Sequence, residues 1–273
     1  MVNSNNKMFL TKVVISIFSV YLLLLTFLFF YQRKLLYYPN IDKYIKDDNL
    51  ITKIEKVNIF TSDENTLSGW FFKKDISKKT ILFLHGNAGS LENRIYKLNH
   101  FKNLDLNFLI IAWRGFSGSS GKPSEKGLYE DALSAVKWLE SNEIYENNII
   151  VYGESLGTAV AVELAQNKNF AGIILESPFT SMIETAKKYY PFFPVKLLLK
   201  DKYESINKIR NIHSPILIMH GKQDKIVPFK MGKKMYDLAN SPKFNYFPEY
   251  DDHMMNYDQL LLNKLKLFVD SLN

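Results

Sequence analysis

Cysteine is absent from the 273 residues. Disulfides, thiolate metal sites and cysteine nucleophiles are therefore excluded, although the absence says little about redox compartment. The basic excess is small, 35 Lys+Arg against 28 Asp+Glu, and it is spread along the whole chain. No basic stripe interleaved with aromatics appears, so a nucleic-acid partner is not expected. A mild basic excess does suit a chain lying beside an anionic membrane surface. Outside the apolar run at 13–31, repeats and low-complexity tracts are also missing. Apolar residues at 47% and charged residues at 23% give the balance of a foldable globular chain. That length suffices for one large α/β domain plus an appendage.

Charge is missing altogether from Val13 to Tyr31, VVISIFSVYLLLLTFLFFY. At about 1.5 Å per residue this run comes close to the ~30 Å hydrocarbon core of a bilayer. Arg33 and Lys34 close it, and Tyr31, Tyr37 and Tyr38 stand where an aromatic belt would. A cleaved signal peptide would have a shorter apolar region and a small-x-small site after it, and Gln-Arg-Lys-Leu-Leu-Tyr-Tyr offers none. The expectation is an uncleaved single-pass anchor at 13–31, with a polar tail at 1–12 and a connector at 32–50. Lys7 and Lys12 balance Arg33 and Lys34, so the positive-inside rule does not orient it.

From Ile51 the pattern changes. Ile54 to Phe60 and Leu67 to Phe72 alternate around Thr-Ser-Asp-Glu-Asn and read as a hairpin. Apolar runs then recur at Thr80–Leu84, Leu106–Ala112, Ile149–Val151, Ala171–Leu175, Ile216–Met219 and Phe244–Phe247. Helical patterns lie between them, near Leu91–Phe101, after Ser124 as an N-cap, at Pro228–Leu238 and at Tyr257–Val269. Strands alternating with helices predict a mostly parallel central sheet, with ligands at the carboxyl ends of its strands. The segment from about 180 to 212 is long for a plain crossover. It carries Tyr-Tyr-Pro-Phe-Phe-Pro-Val-Lys-Leu-Leu-Leu, and is read as a small helical cap.

One stretch organises the chemistry. A β-branched run enters Gly153-Glu154-Ser155-Leu156-Gly157, and a small-residue helical pattern leaves it. This is the strand, sharp turn and helix of a nucleophile elbow. A serine hydroxyl needs a base to remove its proton, and the base needs an acid to orient it. With such an elbow the partners follow in the order serine, acid, histidine. Of the five histidines only His253 follows the last strand in a loop. Asp224 follows the strand before it. Glu176 and Asp201 are weaker rivals for the acid, and Asp251 and Asp252 are read as solvated loop charges. The oxyanion is expected to meet the Leu156 amide and the Asn87 amide of the His-Gly-Asn turn, which His85 braces. Phe179 and Phe192 are expected to contact substrate.

These motifs, His-Gly-Asn-Ala-Gly, Trp-Arg-Gly-Phe-Ser-Gly, Gly-Glu-Ser-Leu-Gly, Glu-Ser-Pro-Phe-Thr-Ser and Gly-Lys-Gln-Asp-Lys-Ile-Val-Pro with the late His253, resemble the ABHD-type branch of the α/β-hydrolase family. The resemblance covers roughly residues 35–270. Trp113 stands where the branch has a tyrosine before Arg-Gly. It implies the α/β-hydrolase fold over 51–273 and hydrolysis of acyl esters or thioesters, with relatives that act on acylated proteins or lipids. The chemistry requires neither metal nor organic cofactor, and a monomer at the lipid bilayer is expected. A peptidase of the same fold is the rival within enzymes, although no acidic pair is placed to hold a peptide amino terminus. A catalytically silent membrane scaffold is the rival outside them.

Overall fold

The computed structural model describes residues 4–39 and 54–272. Part of the connector expected at 32–50 therefore lies outside the described residues. The chain opens with α1 (Ser4–Leu36), which extends past both ends of the charge-free run. No proline or glycine interrupts Ser4–Lys12, and Lys7 and Lys12 sit on the polar end of the same helix. The helix is long and apolar enough to cross a membrane. The strand β1 (Tyr38–Pro39) follows it.

The hairpin of β2 (Glu55–Phe60) and β3 (Thr66–Phe72) forms as expected, with Ile59 opposite Leu67. Then come β4 (Thr80–Leu84), the short β5 (Ala88–Gly89), α2 (Ile95–Asn103) and β6 (Asn107–Ile111). The helix α3 (Glu125–Ser141) starts at Ser124, whose hydroxyl accepts the Gly127 N–H. After it come β7 (Ile149–Glu154), α4 (Leu156–Ala165) and β8 (Gly172–Glu176). The cap holds α5 (Met182–Tyr189) and α6 (Val195–Leu198). The chain closes with β9 (Ile216–Met219), α7 (Phe229–Leu238), β10 (Lys243–Tyr246) and α8 (Gln259–Asp270).

Eight strands form one sheet in the order β10-β9-β8-β7-β4-β6-β3-β2. The run from β6 to β10 is parallel, and β3 and β2 are antiparallel at one edge. Strands β4, β6, β7, β8 and β9 are buried at every position, because helices cover both faces. Each fully buried Leu, Ile or Phe here contributes about 1.5–3 kcal/mol. Edge strand β2 alternates, with only Val57 and Ile59 inward. The sheet order puts the end of β7 at its middle. The shorter β1 pairs in parallel with β5, so the end of α1 is tied to the loop after β4.

Candidate active site

Ser155 stands between β7 and α4 with φ 50° and ψ −113°, a conformation that only a forced turn imposes on a residue with a side chain. The turn is forced by close packing. A Cβ on Gly153 would lie 2.6 Å from the Gly157 carbonyl oxygen, and one on Gly157 would lie 1.9 Å from the Leu84 carbonyl oxygen on β4. The serine amide is held by the Glu176 carbonyl at 2.9 Å. As the first residue of α4, Leu156 has an amide with no partner one turn back in the helix.

Two loops bring the other groups to Ser155. His253 Nε2 is 2.9 Å from Ser155 Oγ, and His253 Nδ1 is 2.7 Å from Asp224 Oδ2. Asp224 Oδ1 accepts the Ile226 and Val227 amides, both at 2.8 Å. Burial pushes the Asp224 carboxyl up, but hydrogen bonds from His220 and His253 outweigh it and hold the group well below the usual carboxylate range. An ionised Asp224 can only accept, so Nδ1 of His253 carries the proton and Nε2 is left to accept from Ser155. The Ser177 hydroxyl donates to the His253 carbonyl at 3.1 Å and steadies that loop. His220 Nε2 lies 3.1 Å from Asp224 Oδ2 and 3.0 Å from the Val227 carbonyl.

The weaker candidates for the acid lie elsewhere. Asp201 binds Arg33 and the Glu125 amide. Glu176 binds Lys97 at 2.7 Å and the Tyr152 and Tyr257 hydroxyls. Asp251 is buried and accepts from Asn256, which corrects its reading as a solvated charge. Asp252 accepts the Met254 amide.

Asn87 lies in the turn after β4. Its carbonyl accepts the Tyr38 amide at 2.8 Å and its side chain donates to the Leu36 carbonyl at 2.7 Å. His85 beneath it is fully buried, and the Trp113 indole donates to its carbonyl at 2.9 Å. Burial next to Arg94 lowers its pKa to about 3, so the ring is neutral and acts as a brace.

A buried ionic network under the elbow was not legible as a unit in the sequence. Glu154 receives Arg94 at 2.5 Å and Lys97 at 2.5 Å, and Lys97 bridges to Glu176. Glu154 also accepts the Gly86 amide at 3.2 Å, and Arg94 donates to the Ala88 carbonyl at 2.8 Å. The network thus fixes both sides of Asn87. Burial raises the Glu154 pKa, and the two cations more than reverse it.

A cavity of about 380 Å³ adjoins Ser155. Asn87, Leu156, Phe179, Met182, Phe193 and Leu198 are in its wall, as are Leu28, Gln32, Leu35 and Leu36 of α1. Phe179 lines this cavity. Phe192, also expected to contact substrate, does not: it is 85% exposed, and its neighbour Phe193 turns inward instead, stacked on Tyr21. Successive residues in the tight Pro191–Pro194 turn point to opposite sides.

Over 222 residues the chain is 36% identical to an uncharacterized protein of Mycobacterium tuberculosis, covering 80% of this chain and 79% of that one. It is 34% identical to human alpha/beta hydrolase domain-containing protein 17B, covering 77% and 73% of the two. The chain belongs to the ABHD-type α/β-hydrolases. Another member of that branch, the lysophosphatidylserine lipase ABHD12 of Danio rerio, is 35% identical over 64% of this chain and 51% of its own length. The model of the prolyl oligopeptidase family matches residues 119–249. The Pyrococcus furiosus esterase Pf2001 superposes with a TM-score of 0.72 at 21% identity, over 87% of this chain and 100% of that one, which shows the fold. The ABHD-type chain is thus a serine hydrolase of the esterase and lipase-like kind.

Proposed function

We propose that the protein is a membrane-anchored hydrolase of carboxylic esters or thioesters that works through Ser155, His253 and Asp224. The observation that carries this reading is the continuous hydrogen-bonded line from Ser155 Oγ through His253 to Asp224 at 2.9 and 2.7 Å. In this reading Ser155 Oγ attacks the acyl carbonyl while His253 Nε2 takes its proton. The Leu156 and Asn87 amides stabilise the oxyanion, each donor worth about 3 kcal/mol in the barrier. His253 returns the proton to the departing alcohol or thiol. A water then gives its proton to His253 and attacks the acyl-enzyme, which releases the acid and restores Ser155.

The family model's name favours a peptidase as second reading. Against it, none of the described residues lining the cavity carries a carboxylate, ammonium or guanidinium group that would fix a peptide terminus. An apolar acyl chain suits that lining better. Anchoring by an uncleaved α1 is supported by the helix's own bonds to the cap: Gln32 donates to the Leu198 carbonyl at 3.0 Å and Arg33 pairs with Asp201 at 2.8 Å. The test is hydrolysis of p-nitrophenyl acetate by full-length protein in detergent. Wild type should turn over, and Ser155→Ala and His253→Ala should each lose activity by several orders of magnitude, with the double variant little worse. Activity surviving Ser155→Ala contradicts the reading.

A further inference from the structure

The anchor helix does more than hold the domain near lipid. Its face at Leu28, Gln32, Leu35 and Leu36 is part of the wall of the cavity that reaches Ser155. Its end is stitched to Asn87 through the Leu36 carbonyl. Contact with the cap runs up the helix from Arg33 to Tyr21, whose hydroxyl donates to the Phe192 carbonyl at 3.1 Å. Tyr21 lies in the middle of the charge-free run, ten residues before Tyr31, or about 15 Å along the axis.

That geometry fixes a depth. Lys12 and Arg33 bracket the run, and neither charge is tolerated at the bilayer centre without a large cost. If the run from Val13 to Tyr31 crosses the ~30 Å hydrocarbon core, then the part of the cap at Tyr21 cannot be in water. The cap has the surface for such a place. Phe192 and Leu197 are 85% and 83% exposed. Much of its backbone is paired: the Tyr190, Phe193, Val195, Leu197, Leu198 and Leu199 amides donate to carbonyls within the cap, the Phe192 carbonyl accepts from Tyr21, and Pro191 and Pro194 have no N–H to satisfy. Each such pair lowers the cost of bringing irregular backbone toward hydrocarbon. The exposed Lys196 can reach head groups along its apolar stem. Lys200 lies over the Phe29 ring at 4.1 Å.

We propose that the cap dips into the bilayer beside α1 and that the seam between them is a lateral entrance, so that α1 is one wall of the acyl-chain site. Leu35 of α1 and Tyr190 of the cap line the cavity and also reach the surface, and Tyr190 packs edge-on against Phe193, which stacks on Tyr21, so an opening lies on this seam. A long acyl chain slides from the hydrocarbon between Leu28 and the cap to the serine, and its head group stays at the interface. Leu28 and Leu35 then set how long a chain fits. The chain-length arm of this proposal rests on the ester-hydrolase reading above; the depth of the cap does not.

Two experiments on the full-length protein test it. Because the chain has no cysteine, Leu197→Cys takes a single nitroxide label, and so does Leu267→Cys on α8, exposed in the same way. In phosphatidylcholine–phosphatidylglycerol vesicles the label at position 197 should collide with dissolved oxygen far more than with a water-soluble nickel chelate, and the label at 267 should do the opposite. Equal access of nickel to both overturns the immersion. For the wall, Leu28→Trp should lower the ratio of kcat/KM on palmitoyl over acetyl p-nitrophenyl esters at least about tenfold, and Leu28→Ala should move the ratio less or raise it. Ratios unchanged in both variants overturn the role of α1. Run in the vesicles with a lysophospholipid and with an S-palmitoylated peptide, the same variants show which head the acyl chain carries; Leu28 dependence on neither substrate contradicts the proposal. Should Ser155→Ala keep its esterase activity, the catalytic reading falls and the nitroxide result still decides the depth of the cap.

Discussion

Asp224 is asked to stay charged in a covered place, and its neighbours explain how. Two backbone amides and two imidazoles surround the carboxylate. Asp224→Asn removes the acceptor that fixes the proton on Nδ1 of His253, so turnover should drop by about four orders of magnitude with the fold intact. Glu176→Gln should act differently, since Glu176 answers Lys97 and not His253: the melting temperature should fall before the residual kcat does. If Glu176→Gln abolishes turnover at unchanged stability while Asp224→Asn is active, the acid is misassigned. The same depression gives a pH signature. A carboxylate held below its unfolded value stabilises the fold fully above about pH 4 and loses that contribution as pH falls through the folded value. Asp224 and Glu154 both behave this way. Wild type should therefore lose melting temperature steeply below about pH 4, and Asp224→Asn should lose it less steeply. An identical acid slope in the two proteins contradicts the assignment.

The elbow, the turn after β4 and the layer beneath them act as one element. Gly157 meets the Leu84 carbonyl so closely that Gly157→Ala has to push α4 off β4. It should be among the most destabilising single changes in the chain, read as loss of folded yield. Glu154→Gln leaves Arg94 and Lys97 buried with one carboxylate fewer. Breaking such a pair costs about 3–5 kcal/mol, which thermal or denaturant unfolding in detergent measures; a change within error would mean the ions are already solvated. The difference in legibility has a physical cause. Ser155 and Asp224 each follow a strand that announces itself as an apolar run, His253 follows the short last strand, and their order along the chain is a constraint. Arg94 and Lys97 lie around the start of α2 and Glu154 and Glu176 end β7 and β8; no shared pattern links the two sets, and only the fold brings them together. Phe192 was misplaced for a similar reason. Composition says that the Pro-Phe-Phe-Pro stretch is apolar, but a one-residue difference in a turn decides which phenylalanine faces the cavity.

At the scale of the molecule, helix, cap and sheet share one cavity. The parallel sheet, visible in the alternation of strand and helix, centres the serine. The cap was legible only as an apolar surplus between two strands. Nothing in the sequence tied it to α1, because the bonds of Gln32, Arg33 and Tyr37 to residues near position 200 join segments far apart in the chain. Full-length protein should stay in the membrane pellet through high-salt and carbonate washes with its N-terminus intact; release, or a chain shortened at its start, contradicts an anchor that is also a wall. The central claim, a serine activated at position 155, is tested most directly by reaction with a fluorophosphonate followed by peptide mass analysis. The expected result is one phosphonyl group per chain, on the peptide that holds Ser155, and no adduct in Ser155→Ala or, at short times, in His253→Ala. A folded wild-type protein that stays unlabelled, or that carries the adduct on another residue, would contradict the account.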